Sequence, residues 1–262
     1  MPTSDTSGPT SHTSGPTSHT SGPTSDTSGP TSDTSGPTSD TSGLQEIWDA
    51  TLVNQAETGA RVIARYAEPH RRYHGTEHLA SVLAHIDEFA TEAHDLFLVR
   101  LAAFYHDAIY DIPFRELTNE EGSARLSVRE LSRTGLEVED LNEVSRLVRL
   151  TATHVPGSRD PNGELLCDAD LAVLGSPPDA YARYVAQVTE EYAAVPRLEF
   201  VRGRFRVLRE LAGRDLFNTP KGRALNARAR FNLVAECRQL VAEMRTAGIS
   251  ADEIGTVPGP RA

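Results

Sequence analysis

Residues 96–107 read Leu-Phe-Leu-Val-Arg-Leu-Ala-Ala-Phe-Tyr-His-Asp, and the fold turns on them. Apart from Arg100 the stretch is apolar on nearly every side until it ends in His106-Asp107. A helix that is apolar all round has to be surrounded by other elements, so this segment predicts the centre of a packed domain. The neighbours read as helices too. Upstream, residues 73–91 place Leu79, Val82, Leu83, Ile86 and Phe89 on one stripe at helical spacing. Residues 45–67 do the same with Ile47, Trp48, Leu52, Ala56, Val62, Ile63 and Tyr66, although Gly59 falls on that stripe. A polar corner, residues 68–72, joins the two. Downstream, Pro113 is expected to end the central helix. Helical periodicity resumes at 118–131, 138–153, 164–174, 181–195, 198–211 and 222–244, with a Pro- and Gly-containing loop at 154–163. No alternating strand pattern of useful length occurs, and the fold class predicted is all-α.

The N-terminus is a different material. Between Pro2 and Gly43 the chain repeats Pro-Thr-Ser-(Asp/His)-Thr-Ser-Gly six times. It offers no large apolar side chain to set against the entropy of ordering, so residues 1–43 are expected to form a disordered tail. A seven-residue Ser/Thr/Pro repeat is also too short for a solenoid unit. His12 and His19 within it read as solvated. The remaining chain suffices for one domain, expected over residues 44–247, with a flexible C-terminal tail at 248–262. Of the net charge of −11, four charges belong to Asp5, Asp26, Asp33 and Asp40, leaving −7 outside the repeat. That balance argues against a broad nucleic-acid-binding surface. Two cysteines, Cys167 and Cys237, are too few for a disulfide framework and suit a reducing cytoplasm. No apolar run reaches the roughly 18 residues of a membrane span.

Three places bring chemistry-bearing residues onto apolar ground. His74 and His78 are spaced i,i+4, one face of a helix if the predicted helix begins at Tyr73. His106 and Asp107 are adjacent at the end of the buried helix, about 100° apart, so both reach an ion at its edge. Asp168 and Asp170 interrupt Leu165-Leu166-Cys167-Asp168-Ala169-Asp170-Leu171-Ala172-Val173-Leu174. A carboxylate in such surroundings is costly unless it is paired or binds metal. Each feature alone has an ordinary structural reading; their joint occurrence in the order His, His-Asp, Asp points to a metal cage.

The wider motifs are Glu68-Pro69-His70-Arg71-Arg72-Tyr73-His74 with His78, then Phe104-Tyr105-His106-Asp107-Ala108-Ile109-Tyr110-Asp111, and Asn119-Glu120 with Ser123-Ala124. They continue as Thr151 with His154, Asp168-Ala169-Asp170-Leu171 ahead of Leu174-Gly175, Phe200 with Gly203-Arg204, and Ala229-Arg230 with Asn232-Leu233. In this order the chain resembles the HD superfamily of metal-dependent phosphohydrolases. More closely it resembles a little-characterised bacterial and eukaryotic group of predicted HD-superfamily phosphohydrolases, over nearly all of residues 45–245. The resemblance implies an HD-domain helical bundle around a divalent transition metal (Mn, Fe, Co or Zn, one or two ions). By analogy with cyclic-nucleotide phosphodiesterases, whose Tyr-His-Asn-x-x-His is matched by Tyr73, His74 and His78 with Gly75 in place of Asn, the ligands would be His78, His106, Asp107 and Asp170. His74 would then be a general acid, with the reverse assignment of His74 and His78 left open.

The resemblance also implies Asp170 rather than Asp168 as the last ligand, because that ligand commonly follows a small residue in the superfamily, as in Ala169-Asp170-Leu171. Asp168 is expected to act as the accompanying catalytic carboxylate or to hydrogen-bond a ligand histidine. Such an ion acidifies bound water and polarises a phosphoryl oxygen. Arg71 and Arg72 are expected to hold phosphate oxygens, with His154, Glu120 and Arg230 as weaker substrate-binding candidates. The implied partner is a small phosphorylated molecule, a nucleotide foremost. Two rivals accompany this reading: a module that binds metal and nucleotide without turnover, and an HD-fold di-iron oxygenase.

Overall fold

The computed structural model describes residues 41–113 and 116–256. Nearly all of the expected tail, residues 1–40, lies outside the described residues. Helix α1 (Ser42–Thr51) already begins within the last residues assigned to the repeat. Among the described residues there are only helices and turns: α2 (Ala56–Tyr66), α3 (Thr76–Phe89), α4 (Leu96–Tyr105), α5 (Asn119–Leu131), α6 (Val138–Leu150), α7 (Pro161–Asp170), α8 (Pro178–Glu191), α9 (Arg197–Ala212), α10 (Asn226–Thr246) and α11 (Ala251–Ile254). Two 3₁₀ turns, Leu171–Gly175 and Gly222–Leu225, precede α8 and α10.

Helix α4 is the centre that its sequence predicts. Leu101, Ala102, Ala103, Phe104 and Tyr105 are fully buried, and α1, α2, α3, α5, α6 and α7 all pack against it. The Asp95 side chain caps its start by accepting from the Leu98 N–H, which satisfies one of the orphan donors of the first turn. The helix ends at Tyr105, well before Pro113, with His106 as its last helical-conformation residue. A second cluster of buried side chains gathers α8, α9 and α10 around Tyr181, Val201, Phe205, Leu208, Leu233 and Cys237. Helix α7 packs into the cluster around α4, and the 3₁₀ turn after it feeds both clusters.

Two element boundaries differ from the periodicity in ways that matter. The single helix expected over 45–67 is a hairpin, broken at residues 52–55 with Asn54 at φ 62°. Gly59 is what lets the arms close, because a Cβ there would lie 2.3 Å from the Trp48 ring. The helix expected from Tyr73 starts only at Thr76, so His74 and His78 do not share a helical face. At the other end, the expected flexible tail contains a capped turn: Ser250 and Glu253 form a reciprocal capping box and Ile254 is buried. Cys167 and Cys237 are both free and buried. No described helix is long and apolar enough to cross a membrane.

Candidate functional site

His78, in the first turn of α3, and His106-Asp107, at the C-terminal end of α4, converge beside the last residue of α7, Asp170. One ligand atom each from His78, His106 and Asp107 lies within 4.8 Å of the others. The two imidazole Nε2 atoms are 3.1 Å apart. His106 Nε2 is 3.1 Å from Asp107 Oδ2, and Asp170 Oδ1 is 3.2 Å from His78 Nε2 and 3.6 Å from His106 Nε2. The tautomer of His106 follows from its other nitrogen, which is 2.6 Å from the Ala103 carbonyl and so donates to it. In the neutral ring Nε2 is then a lone pair facing the cluster, the arrangement by which outer hydrogen bonds orient metal-ligating histidines. His78 and His106 are each about 5% exposed or less. Lone pairs and carboxylates that face each other in a buried space need a cation between them.

The electrostatics state the same need. Burial pushes the His106 imidazole down, but the Asp107 and Asp170 carboxylates outweigh it and carry it up to about 9. His78 moves up for the same reason, against burial, through Asp107 and Asp170. Burial would raise the carboxyls of Asp107 and Asp170, yet the neighbouring histidines hold both well below the usual carboxylate range. A proton or a metal ion can supply the missing positive charge. Imidazole nitrogen and carboxylate oxygen together suit the borderline divalent metals, so these residues fit such an ion.

His74 stands next to this cluster rather than in it. Its ring centroid is 5.6 Å from that of His78, and its Nδ1 is 2.5 Å from Glu191 Oε2. The other Glu191 oxygen accepts the backbone N–H groups of Arg72, Tyr73 and His74. Burial raises the Glu191 carboxyl, but the His74 contact and these N–H groups hold it below its ordinary range. Glu191 thus fixes both the turn that carries His74 and the rotation of its ring. His74 Nε2 looks toward Tyr110, whose hydroxyl is 3.5 Å away and whose ring stacks on the imidazole at 4.1 Å. From there opens a cavity of about 570 Å³ walled by Tyr110, Tyr184, Tyr192, Phe200 and Arg204. The cavity includes His74 but none of the four cluster residues.

Family models, curated proteins and solved structures show no match to this chain.

The geometry of the site separates the remaining expectations. His154 reaches the cluster, with Nε2 2.8 Å from Asp170 Oδ2. It does so from the loop after α6, at φ 51°, and not from a helix face shared with Thr151. Asp168 does not reach it. Its carboxylate is fully buried and accepts from the Asn218 N–H, the Thr219 N–H and the Thr219 hydroxyl. Burial raises its pKa in spite of these donors. Asp168 clamps the loop ahead of the second 3₁₀ turn.

Arg71 is also structural, because its guanidinium donates to the carbonyls of His74, Asp107 and Ala108 and to Glu68, leaving no fork for phosphate. Arg72 pairs with Glu190 at the surface, 2.7 Å away, and Arg230 with Asp215, 2.8 Å away. Glu120 is half-buried in the first turn of α5, with no ion pair to the cluster among the described residues.

The sequence reading missed Glu191 as a partner of His74. The signal was present: Glu191 continues the stripe of Tyr181, Tyr184 and Val188 on α8, and an acid on an apolar stripe is the same anomaly as Asp170 on α7.

Proposed function

We propose that this chain is a metal-dependent phosphohydrolase of the HD type, acting on a small phosphate ester, a nucleotide foremost. The observation that carries the reading is the pairing of two devices within one short reach. His78, His106, Asp107 and Asp170 form a cage suited to a divalent transition metal, and beside it stands an imidazole held by a carboxylate, His74 on Glu191. A divalent cation in that cage supplies an acidified water and a Lewis acid for a phosphoryl oxygen.

The protein's own groups supply the rest. Glu191 holds Nδ1 of His74 and fixes the ring so that Nε2 faces the cavity. In the protonated ring Nε2 carries the proton that passes to the leaving oxygen as its bond to phosphorus breaks. His154, bonded to Asp170 Oδ2, orients that carboxylate so that Oδ1 faces the two Nε2 atoms. Neither cysteine is a ready nucleophile, because burial pushes both thiols up, Cys237 to about 11.

His154 also favours a second reading, because a third imidazole beside the cage is what a two-metal or di-iron oxygenase site would need. Metal stoichiometry together with phosphate release from a panel of monophosphate esters decides between them. The hydrolase predicts bound transition metal and released phosphate, both lost in Asp107→Ala. Two irons per chain, oxygen consumption and no phosphate release would establish the oxygenase instead. Bound metal with neither activity would leave a binding module.

A further inference from the structure

Gly203 lies in the interior of α9, a helix of 16 residues, where glycine is the costliest residue after proline. Its backbone does not demand it, since the positive-φ glycines are Gly135, Gly248 and Gly255. Packing does not demand it either: a Cβ built on Gly203 meets no atom within 4 Å. Gly59, Gly163, Gly175 and Gly222 differ, each having a neighbouring side chain within 2.6 Å of the added carbon. What lies in front of Gly203 is the cavity that opens from His74. A side chain at this position would project into that space.

The cavity's walls restrict what can fill it. Tyr110, Tyr184, Tyr192 and Phe200 present aromatic surface, which favours a flat ring. The Tyr110 and Tyr192 hydroxyls, 3.3 Å apart, together with the lining carboxylates Glu199 and Glu210, offer hydrogen bonding to a ring with polar edges. Arg204 is no free anion binder: its guanidinium is held by Glu236 at 2.9 and 3.2 Å and by the Tyr184 hydroxyl at 2.8 Å. Arg206 also lines the cavity, at an exposed position, so it is the hydrolase reading that puts the charged end of a ligand at the His74 end. The volume, about 570 Å³, falls within the range of small-molecule sites.

We infer that this cavity binds the base and sugar of a nucleoside-type ligand, and that the missing side chain of Gly203 sets the room for it. The phosphate end of that ligand rests on the hydrolase reading above; the ring end stands on the cavity alone.

The test uses the full metal-loaded chain and Gly203→Leu. Binding of adenosine, guanosine, cytidine and uridine is measured by calorimetry, and the KM for the matching nucleoside monophosphate is compared with that for glycerol phosphate. At least one nucleoside should bind the parent protein, and Gly203→Leu should weaken it tenfold or more. The variant should keep its metal and its melting temperature should not fall. Its KM should rise at least tenfold more for the nucleotide than for glycerol phosphate. Should Gly203→Leu not fold, Gly203→Ala and Tyr192→Ala carry the same comparison from two walls of the cavity. Absence of any nucleoside binding, or nucleoside binding unchanged in the variants, overturns the inference. Nucleoside binding blocked by Gly203→Leu with no ester hydrolysed would keep the cavity assignment and remove the hydrolase reading. Hydrolysis with an unshifted KM ratio would do the reverse.

Discussion

Asp168 and Asp170 stand two residues apart on α7, about 200° around the helix, and the two sides they face are chemically opposite. Asp168 meets neutral donors only, the N–H groups of Asn218 and Thr219 and one hydroxyl, and burial leaves its carboxyl raised. Asp170 meets three imidazoles, His78, His106 and His154, and its carboxyl is held down against burial. Both are carboxylates on an apolar segment, so residue type and spacing cannot tell them apart. The partners do. A carboxylate surrounded by neutral backbone donors ties a loop, whereas one surrounded by imidazoles has its charge answered by a cation, proton or metal.

The sharpest break of this comparison is substitution of each in turn. Asp170→Ala should lose most of the bound metal and, with it, hydrolysis. Asp168→Ala should keep a full complement of metal per folded chain. Metal analysis of the two purified variants checks this, and equal retention would erase the distinction.

A similar contrast divides His78 from His74. His78→Ala should strip metal, while His74→Ala should keep it and lose about 10²–10⁴-fold in rate, the usual contribution of a general acid. The loss should shrink for nitrophenyl esters, whose leaving group departs without a proton. Glu191→Gln should also keep the metal and slow hydrolysis, by less than His74→Ala, because an amide oxygen still accepts from the turn while the ring loses the carboxylate that orients it.

Next in size is the stability cost on the structural side. Asp168→Ala leaves three buried donors without an acceptor, at roughly 1–3 kcal/mol for an unsatisfied buried group and about 3 kcal/mol in all after some relaxation. For a domain of this size the melting temperature should fall by roughly 6–12 °C.

The smallest effect is the pH dependence of metal-free protein. His106 is raised to about 9 from its ordinary 6.5. Its contribution to stability is full below the unfolded value and is lost as pH rises through the folded one. Chelator-treated protein should therefore lose stability between about pH 6.5 and 9. The depressed carboxyls of Asp107 and Asp170 work in the other window: their contribution is present above the ordinary carboxylate pKa and lost as pH falls below it. Metal-loaded protein should hold its stability across the alkaline window, because ligation requires neutral imidazoles and displaces the protons. Thermal melts of both forms at several pH values read the difference.

The helices were legible because burial imposes a period that the chain cannot hide, and α4 with its all-round apolar surface is the clearest case. The break at residues 52–55 was not, since Leu52 continues the apolar stripe and only the packing of Trp48 over Gly59 shows that the chain folds back. Among the chemistry-bearing residues, His78, His106, Asp107 and Asp170 were readable as anomalies on apolar ground. The arginines misled. Arg71 looks like a phosphate fork in a line of text, and becomes the buried brace of the His74 turn once the carbonyls of Asp107 and Ala108 arrive from 36 and 37 residues away. Glu191 sits 117 residues from His74, and a pairing over that span leaves no local trace beyond the misplaced acid itself.

Anomalous scattering from crystals of the full chain grown with Mn²⁺ shows whether His78, His106 and Asp107 share one metal ion. A single dominant peak is expected, bounded by His78 Nε2, His106 Nε2 and Asp107 Oδ2, with Asp170 Oδ1 within ligand distance. A peak elsewhere on the molecule, or a cluster in which the two imidazoles share a proton and no metal enters, would contradict it.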